Sequence, residues 1–329
     1  RLTATGSMGP SDATSTAVRY ARKLKSGVWE SQIVDNGNAV GQHTTLAVEA
    51  GGTVHIAWYD TTKDDLQYTR GTLGAFGAVE TVDETGNVGE YGSLVLGPSA
   101  APYIAYSDAT STALKLARRA SDGVWSKEIV DNAASVGEHA ALAVAATGVV
   151  HIAYYDASSS ALRYMRGTPG LWEPPQTLQS AGTVGQNTAI TLDAGGHPHI
   201  SCTSGGNVIH VQSTAGGTSG FWSTEIVGPG SGTTSIRVDS SGELLVSYGG
   251  ANAELARKQA SGWVVTPVDT ENTAFTSLAV GTSGEWYLVY YATTGTALRH
   301  GSNTLKGWTA PATVAYNGTT GLDTSITVD

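Results

Sequence analysis

The sequence predicts an all-β protein: a seven-bladed β-propeller with four antiparallel strands per blade and one blade shared by the N- and C-termini. Two observations carry this. The chain is rich in Gly (42 of 329 residues), with 14% charged and 40% hydrophobic residues, which suits many short strands joined by tight turns. It also repeats itself: "HIAWYD" at 55–60 returns as "YIAYSD" at 103–108 and "HIAYYD" at 151–156.

Aligned on the residue after "VGQ" or "VGE", the repeat units start at His43, Tyr91, His139, Asn187, Thr233, Phe275 and Asp323. Their spacings are 48, 48, 48, 46, 42 and 48 residues. Within a unit an alternating strand such as "TTLAVE" comes first and is followed by a Gly turn. A second strand, "VHIAWYD", a third, "LQYTR", and a fourth ending like "SQIVD" complete it. A period of 40 to 50 residues with four strands is that of a propeller blade, and no 3.6-residue periodicity competes with it. The expected organisation is one domain, 1–329, with blades at about 43–90, 91–138, 139–186, 187–232, 233–274 and 275–322. Residues 2–42 with 323–329 make the remaining blade, because the last unit stops after one strand and the chain begins inside a repeat.

Charge and cysteine content narrow the function classes. A net charge of −10 without a basic cluster argues against nucleic acid and anionic membranes, and favours neutral or cationic ligands. No apolar run reaches the eighteen or so residues of a membrane helix, so membrane insertion is not expected. The single Cys202 reads as a buried strand thiol. A start at Arg1 rather than Met, and a Lys-poor surface rich in Gly, Ser and Thr, lead to the expectation of an exported, extracellular protein.

Two repeated features read as structural. Six units carry a Trp before the fourth strand (Trp29, Trp125, Trp172, Trp222, Trp263, Trp308) and one carries Phe76; one ring at one structural position points to blade packing. Asp12, Asp60, Asp108 and Asp156 end second strands, with Arg22, Arg70, Arg118 and Arg166 ten residues later, which fits a turn cap or hairpin ion pair. His55, His151 and His199 begin second strands, toward the face opposite the unit starts, and read the same way.

This blade pattern resembles bacterial secreted propellers of the sialidase-like (BNR repeat) and tectonin or lectin-like kinds, over essentially the whole chain. "ASDGVW" at 120–125 is similar to the Asp-box turn of sialidases without keeping its full spacing. The resemblance implies architecture. Neither an arginine triad nor a Tyr/Glu nucleophile pair can be assigned, so sialidase activity does not carry over.

The unit-start position is where the repeats disagree. Around it stand "VGQ" or "VGE" in four units and Leu or Ile three residues later in all seven, while the position itself reads His43, Tyr91, His139, Asn187, Thr233, Phe275 and Asp323. In a propeller this position rings the mouth of the central channel, and diversification confined to it points to an asymmetric ligand. The expected binding set is His43, Glu90, Tyr91, Glu138, His139, Asn187, Phe275 and Asp323, with Asp60, Asp108 and Asp156 as an outer rim. The favoured function is lectin-like recognition of a glycan or small polar ligand. The alternative is a propeller enzyme, a polysaccharide lyase or hydrolase using His43, Tyr91 and His139 as acid and base. No cofactor is required; a divalent metal held by the two imidazoles and nearby carboxylates is the one candidate.

Overall fold

The computed structural model describes residues 2–8, 17–24, 26–37, 39–304, 307–316 and 320–328. Its elements are strands, with one short 3-10 turn at Pro98–Ala100, and no helix among the described residues is long and apolar enough to cross a membrane. Second strands such as Val54–Asp60 and Val150–Asp156 are buried throughout, because a neighbouring blade covers each face, whereas outer strands such as Trp125–Asp131 carry the exposed residues.

The expectation of seven complete blades is corrected to six, each cut from one uninterrupted stretch of chain. Their inner strands are Val40–Val48, Val88–Leu96, Val136–Val144, Val184–Leu192, Thr234–Val238 and Thr273–Val280, and we number the blades 1 to 6 in that order. In each blade the second, third and fourth strands follow outward, all antiparallel. The four strands from the two chain ends pair separately, in the order Trp29–Asp35, Val18–Lys23, Leu2–Met8, Thr320–Val328. The side chains of Leu2–Met8, and of the first residues of Thr320–Val328, lie outside the described residues, so this terminal sheet is not counted as a further complete blade.

The terminal sheet lies between blade 6 and blade 1. Trp29 meets His300 of blade 6 edge-on at 5.6 Å between ring centroids, and Tyr20 meets Phe76 of blade 1 at 5.4 Å. The same joint recurs between complete blades: Trp125 on Tyr68 at 5.0 Å, Trp222 on Tyr164 at 4.8 Å and Trp263 on His210 at 5.4 Å. The repeated Trp is therefore the wedge that binds each fourth strand to the third strand of the preceding blade. Apolar clusters fill the spaces between blades; the cluster of Tyr103, Leu116, Leu142, Ile152 and Tyr154 joins blades 2 and 3.

Around the axis, hydroxyl side chains tie the inner strands together. Thr45 Oγ1 accepts the Leu94 N–H at 3.1 Å, Ser93 Oγ the Leu142 N–H at 3.1 Å, Ser235 Oγ the Leu278 N–H at 3.2 Å and Ser277 Oγ the Ile326 N–H at 3.2 Å. These bonds satisfy strand-edge donors that have no further strand to pair with.

Candidate functional site at the channel mouth

In blades 1 to 4 the inner strand opens with Val-Gly-(Gln/Glu)-X, and this tetrapeptide builds the mouth. The Gly is obligatory for two reasons. Gly89 has φ 110°, and a Cβ there would lie 2.8 Å from Leu66 Cβ of blade 1; Gly185 repeats this against Leu162 Cα, also at 2.8 Å. The register then slips: Gln42 pairs with Tyr59 but Thr45 with Ala57, leaving His43 and Thr44 opposite the single residue Trp58. This is a β-bulge, a device that re-aims side chains. Thr44 Oγ1 locks it by donating to the Gly41 carbonyl at 2.6 Å.

The re-aimed residues are the predicted ring. His43, Tyr91, His139 and Asn187 hold φ of 52°, 54°, 51° and 54°, a left-handed conformation that costs a non-glycine residue about 1 kcal/mol or more. All four line the central cavity, about 800 Å³ in volume, together with Thr233 and Phe275. The first three form a continuous arc: His43 and Tyr91 lie 4.6 Å apart between ring centroids, and so do Tyr91 and His139. Tyr155 extends the arc, edge-on to His139 at 6.2 Å. Burial holds His139 down to about 4, the His43 imidazole adding in the same direction, so it is neutral at physiological pH.

The far side of the mouth is built differently. Blade 5 has an inner strand of only five residues, and a second hollow of about 380 Å³ opens beside it, lined by uncharged groups including Asn187, Ser231, Thr233, Asn272 and Phe275. Asn187 Nδ2 donates to Thr203 Oγ1 and to the Ser231 carbonyl, both at 3.4 Å, and so faces both cavities.

Several expected site residues are elsewhere. Asp60, Asp108 and Asp156 are not an outer rim: all three are buried and cap the turns that follow them. Asp60 Oδ1 accepts the Thr62 N–H at 3.0 Å, Asp108 the Ser111 N–H at 2.9 Å and Asp156 the Ser159 N–H at 3.1 Å. Their ion pairs are also not with the Arg ten residues on: Asp108 meets Lys115 at 3.4 Å and Asp156 meets Arg163 at 3.5 Å. Glu90 and Glu138 stand beside the mouth but not in the cavity wall, unlike Gln42. Asp12 and the side chain of Asp323 lie outside the described residues. Among the described residues no three His, Cys, Asp or Glu are grouped to hold a metal ion.

His55, His151 and His199 sit at the other face in structural networks. His151 Nδ1 pairs with the Tyr164 hydroxyl at 2.6 Å, His55 bridges Tyr68 and Glu49, and His199 stacks on His210 at 5.3 Å.

One wall residue was missed. Arg237 lines the cavity and is its only Asp, Glu, Lys or Arg among the described residues. The signal was present in the repeats: one residue beyond the Leu or Ile shared by all units, the chain reads Ala47, Val95, Ala143, Thr191, Arg237, Ala279 and Thr327.

The site can therefore stack flat faces, donate and accept neutral hydrogen bonds, and meet one charge.

No protein-family model and no curated protein matches the chain. Its fold does match solved structures. A polysaccharide lyase of family PL25, an ulvan lyase bound to -[GlcA(1-4)Rha3S]-, aligns with a TM-score of 0.61 at 12% identity, covering 86% of this chain and 85% of that one. The fucose-binding lectin of Aleuria aurantia, a six-bladed propeller, aligns at 0.59 and 12% identity over 85% and 96%. The Hadza microbial sialidase Hz136 aligns at 0.52 and 12% identity over 97% and 83%. At such identity these likenesses show the propeller fold alone.

Proposed function

We propose that the chain is an extracellular saccharide-binding propeller whose ligand lies in the channel mouth against the His43–Tyr91–His139 arc. The observation that carries this is the arc itself: three adjacent blades each hold a large ring in left-handed backbone, facing a cavity of about 800 Å³. Strain of this kind persists where the surrounding structure imposes it, and it concentrates at ligand sites. Imidazole and phenol faces suit the C–H faces of a sugar ring, and Gln42, Asn187 and Thr233 supply neutral donors and acceptors for hydroxyl groups. That solved structures with this fold include a lectin and a lyase with bound saccharide is consistent with the reading.

Binding is preferred over catalysis because four blades repeat one mouth geometry, a left-handed residue behind Val-Gly-(Gln/Glu), which suits several like contacts to a ligand better than one reactive centre. A glycan array followed by calorimetric titration tests the proposal. Wild type should bind a saccharide, and Tyr91→Ala should weaken that binding at least tenfold with the fold intact. Binding that Tyr91→Ala leaves untouched would move the site away from the mouth.

A further inference from the structure

The wall of the central channel carries a cation that nothing in the fold requires. Arg237 lies four residues along the inner strand of blade 5 from the mouth residue Thr233, roughly 13 Å at strand rise. At the same level the other units place Ala, Val or Thr, so the channel closes around small side chains without any guanidinium. Arg237 is partly exposed, and the space it is exposed to is the cavity. Its Nη1 donates to the carbonyl of Ile236 at 2.8 Å, and among the described residues no carboxylate forms an ion pair with it. Desolvation alone pulls its proton affinity below the ordinary guanidinium value, with no acidic neighbour offsetting the loss. Several other strand arginines are matched, Arg257 with Glu243 at 2.9 Å, Arg299 with Asp269 at 2.6 Å and Arg163 with Asp131 at 3.1 Å; Arg237 differs from these in facing the channel.

An enclosed cation without an anion is costly, and here a planar five-donor fork is held at the channel wall with most of its donors unspent on protein. The shape it matches is a carboxylate, sulfate or phosphate taken two-pronged. We propose that Arg237 is the base of an anion-binding subsite in the channel, which takes the acid group of an acidic saccharide chain long enough to reach the aromatic arc above with another of its rings. The saccharide half rests on the function proposed above; the anion half stands on Arg237 alone. The acidic surface, with a net charge of −10, favours neutral or cationic ligands from outside, but the channel inverts that preference locally.

The test titrates sodium glucuronate, sodium sulfate and methyl glucoside, at low ionic strength, into wild type, Arg237→Gln and Arg237→Lys. Thermal melting of each mixture is recorded in parallel. Glucuronate should bind wild type and raise its melting temperature, and Arg237→Gln should weaken it at least tenfold. Arg237→Lys, which keeps the charge and loses the fork, should fall between; should Arg237→Gln not fold, a several-fold loss in Arg237→Lys decides. Sulfate bound and lost in the same way, with no saccharide binding at all, would uphold the anion subsite and remove the saccharide reading of the mouth. Methyl glucoside binding equally to wild type and variants, with no response to either anion, would keep the mouth and overturn the subsite. Anion binding unchanged in Arg237→Gln would overturn it as well.

Discussion

His43, Tyr91 and His139 occupy a backbone conformation that asparagine tolerates better, and Asn187 takes that conformation in the fourth blade of the series. Replacing His139 by Asn therefore separates strain from function. The folded protein should be as stable as wild type or more so by up to about 1 kcal/mol in denaturant titration, while saccharide affinity falls at least tenfold. Destabilisation with unchanged affinity would make the ring a packing feature. The protonation state of His139 adds a second expectation. With its pKa held to about 4, it carries no charge from pH 8 to 5, so its contribution to affinity should be flat across that range and change only as pH approaches 4. At this scale the sequence showed which column diversifies, because the flanking Gly and Leu or Ile anchor the alignment. It did not show that Asp60, Asp108 and Asp156 turn inward: a carboxylate at a strand end reads alike whether it caps a turn or greets a ligand. Arg237 stands in a column four residues on, where the other six units carry only Ala, Val or Thr and a single departure is easily taken for drift.

Strands two and three carry a second set of imidazoles, sealed between blades. His151, His210 and His300 are each held down to about 4 by burial, and His55 is lowered for the same reason with Glu49 partly opposing. In the unfolded chain these groups titrate near 6.5. Because the folded values are depressed, their neutral packing stabilises the protein fully above that pH and is lost as pH falls from 6.5 toward 4, each unit of depression being worth about 1.4 kcal/mol. Chemical denaturation between pH 7 and 4 should show a steep fall in stability, blunted in His151→Phe; a flat profile would contradict the burial of these rings. The Trp wedge offers a companion test. Trp125 packs on Tyr68 and its indole N–H donates to Glu80 at 3.0 Å, so Trp125→Ala should cost about 3–5 kcal/mol and leave saccharide affinity nearly unchanged. Strand order and the packing role of the Trp were legible from period and alternation. The bulge that aims the ring into the mouth was not, since "VGQH" spells a strand start and only the Gly hints at left-handed backbone.

For the whole molecule, the propeller architecture was legible because each repeat carries its own four strands and turns. The number of complete blades was not, because the seventh repeat unit is divided between the two chain ends. Thr320–Val328 pairs with Leu2–Met8, and Ile326 packs with Ala279, Val289 and Leu298 of blade 6. Removing residues 320–328 should therefore lower the melting temperature sharply and promote association through the exposed strand edge; a truncated chain that melts like the full one would show that the terminal sheet does not hold blades 6 and 1 together. The charge distribution also belongs to this scale: a net charge of −10 around a channel whose wall holds one Arg among the described residues should make association of an acidic ligand slow at low salt. The central claim is that the mouth, not the outer blade surface, holds the ligand. A crystal structure of the protein soaked with the tightest saccharide from the array tests this most directly. The account predicts a sugar ring stacked within the cavity on His43, Tyr91 or His139; density between the outer strands of neighbouring blades, with the mouth holding only water, would contradict it.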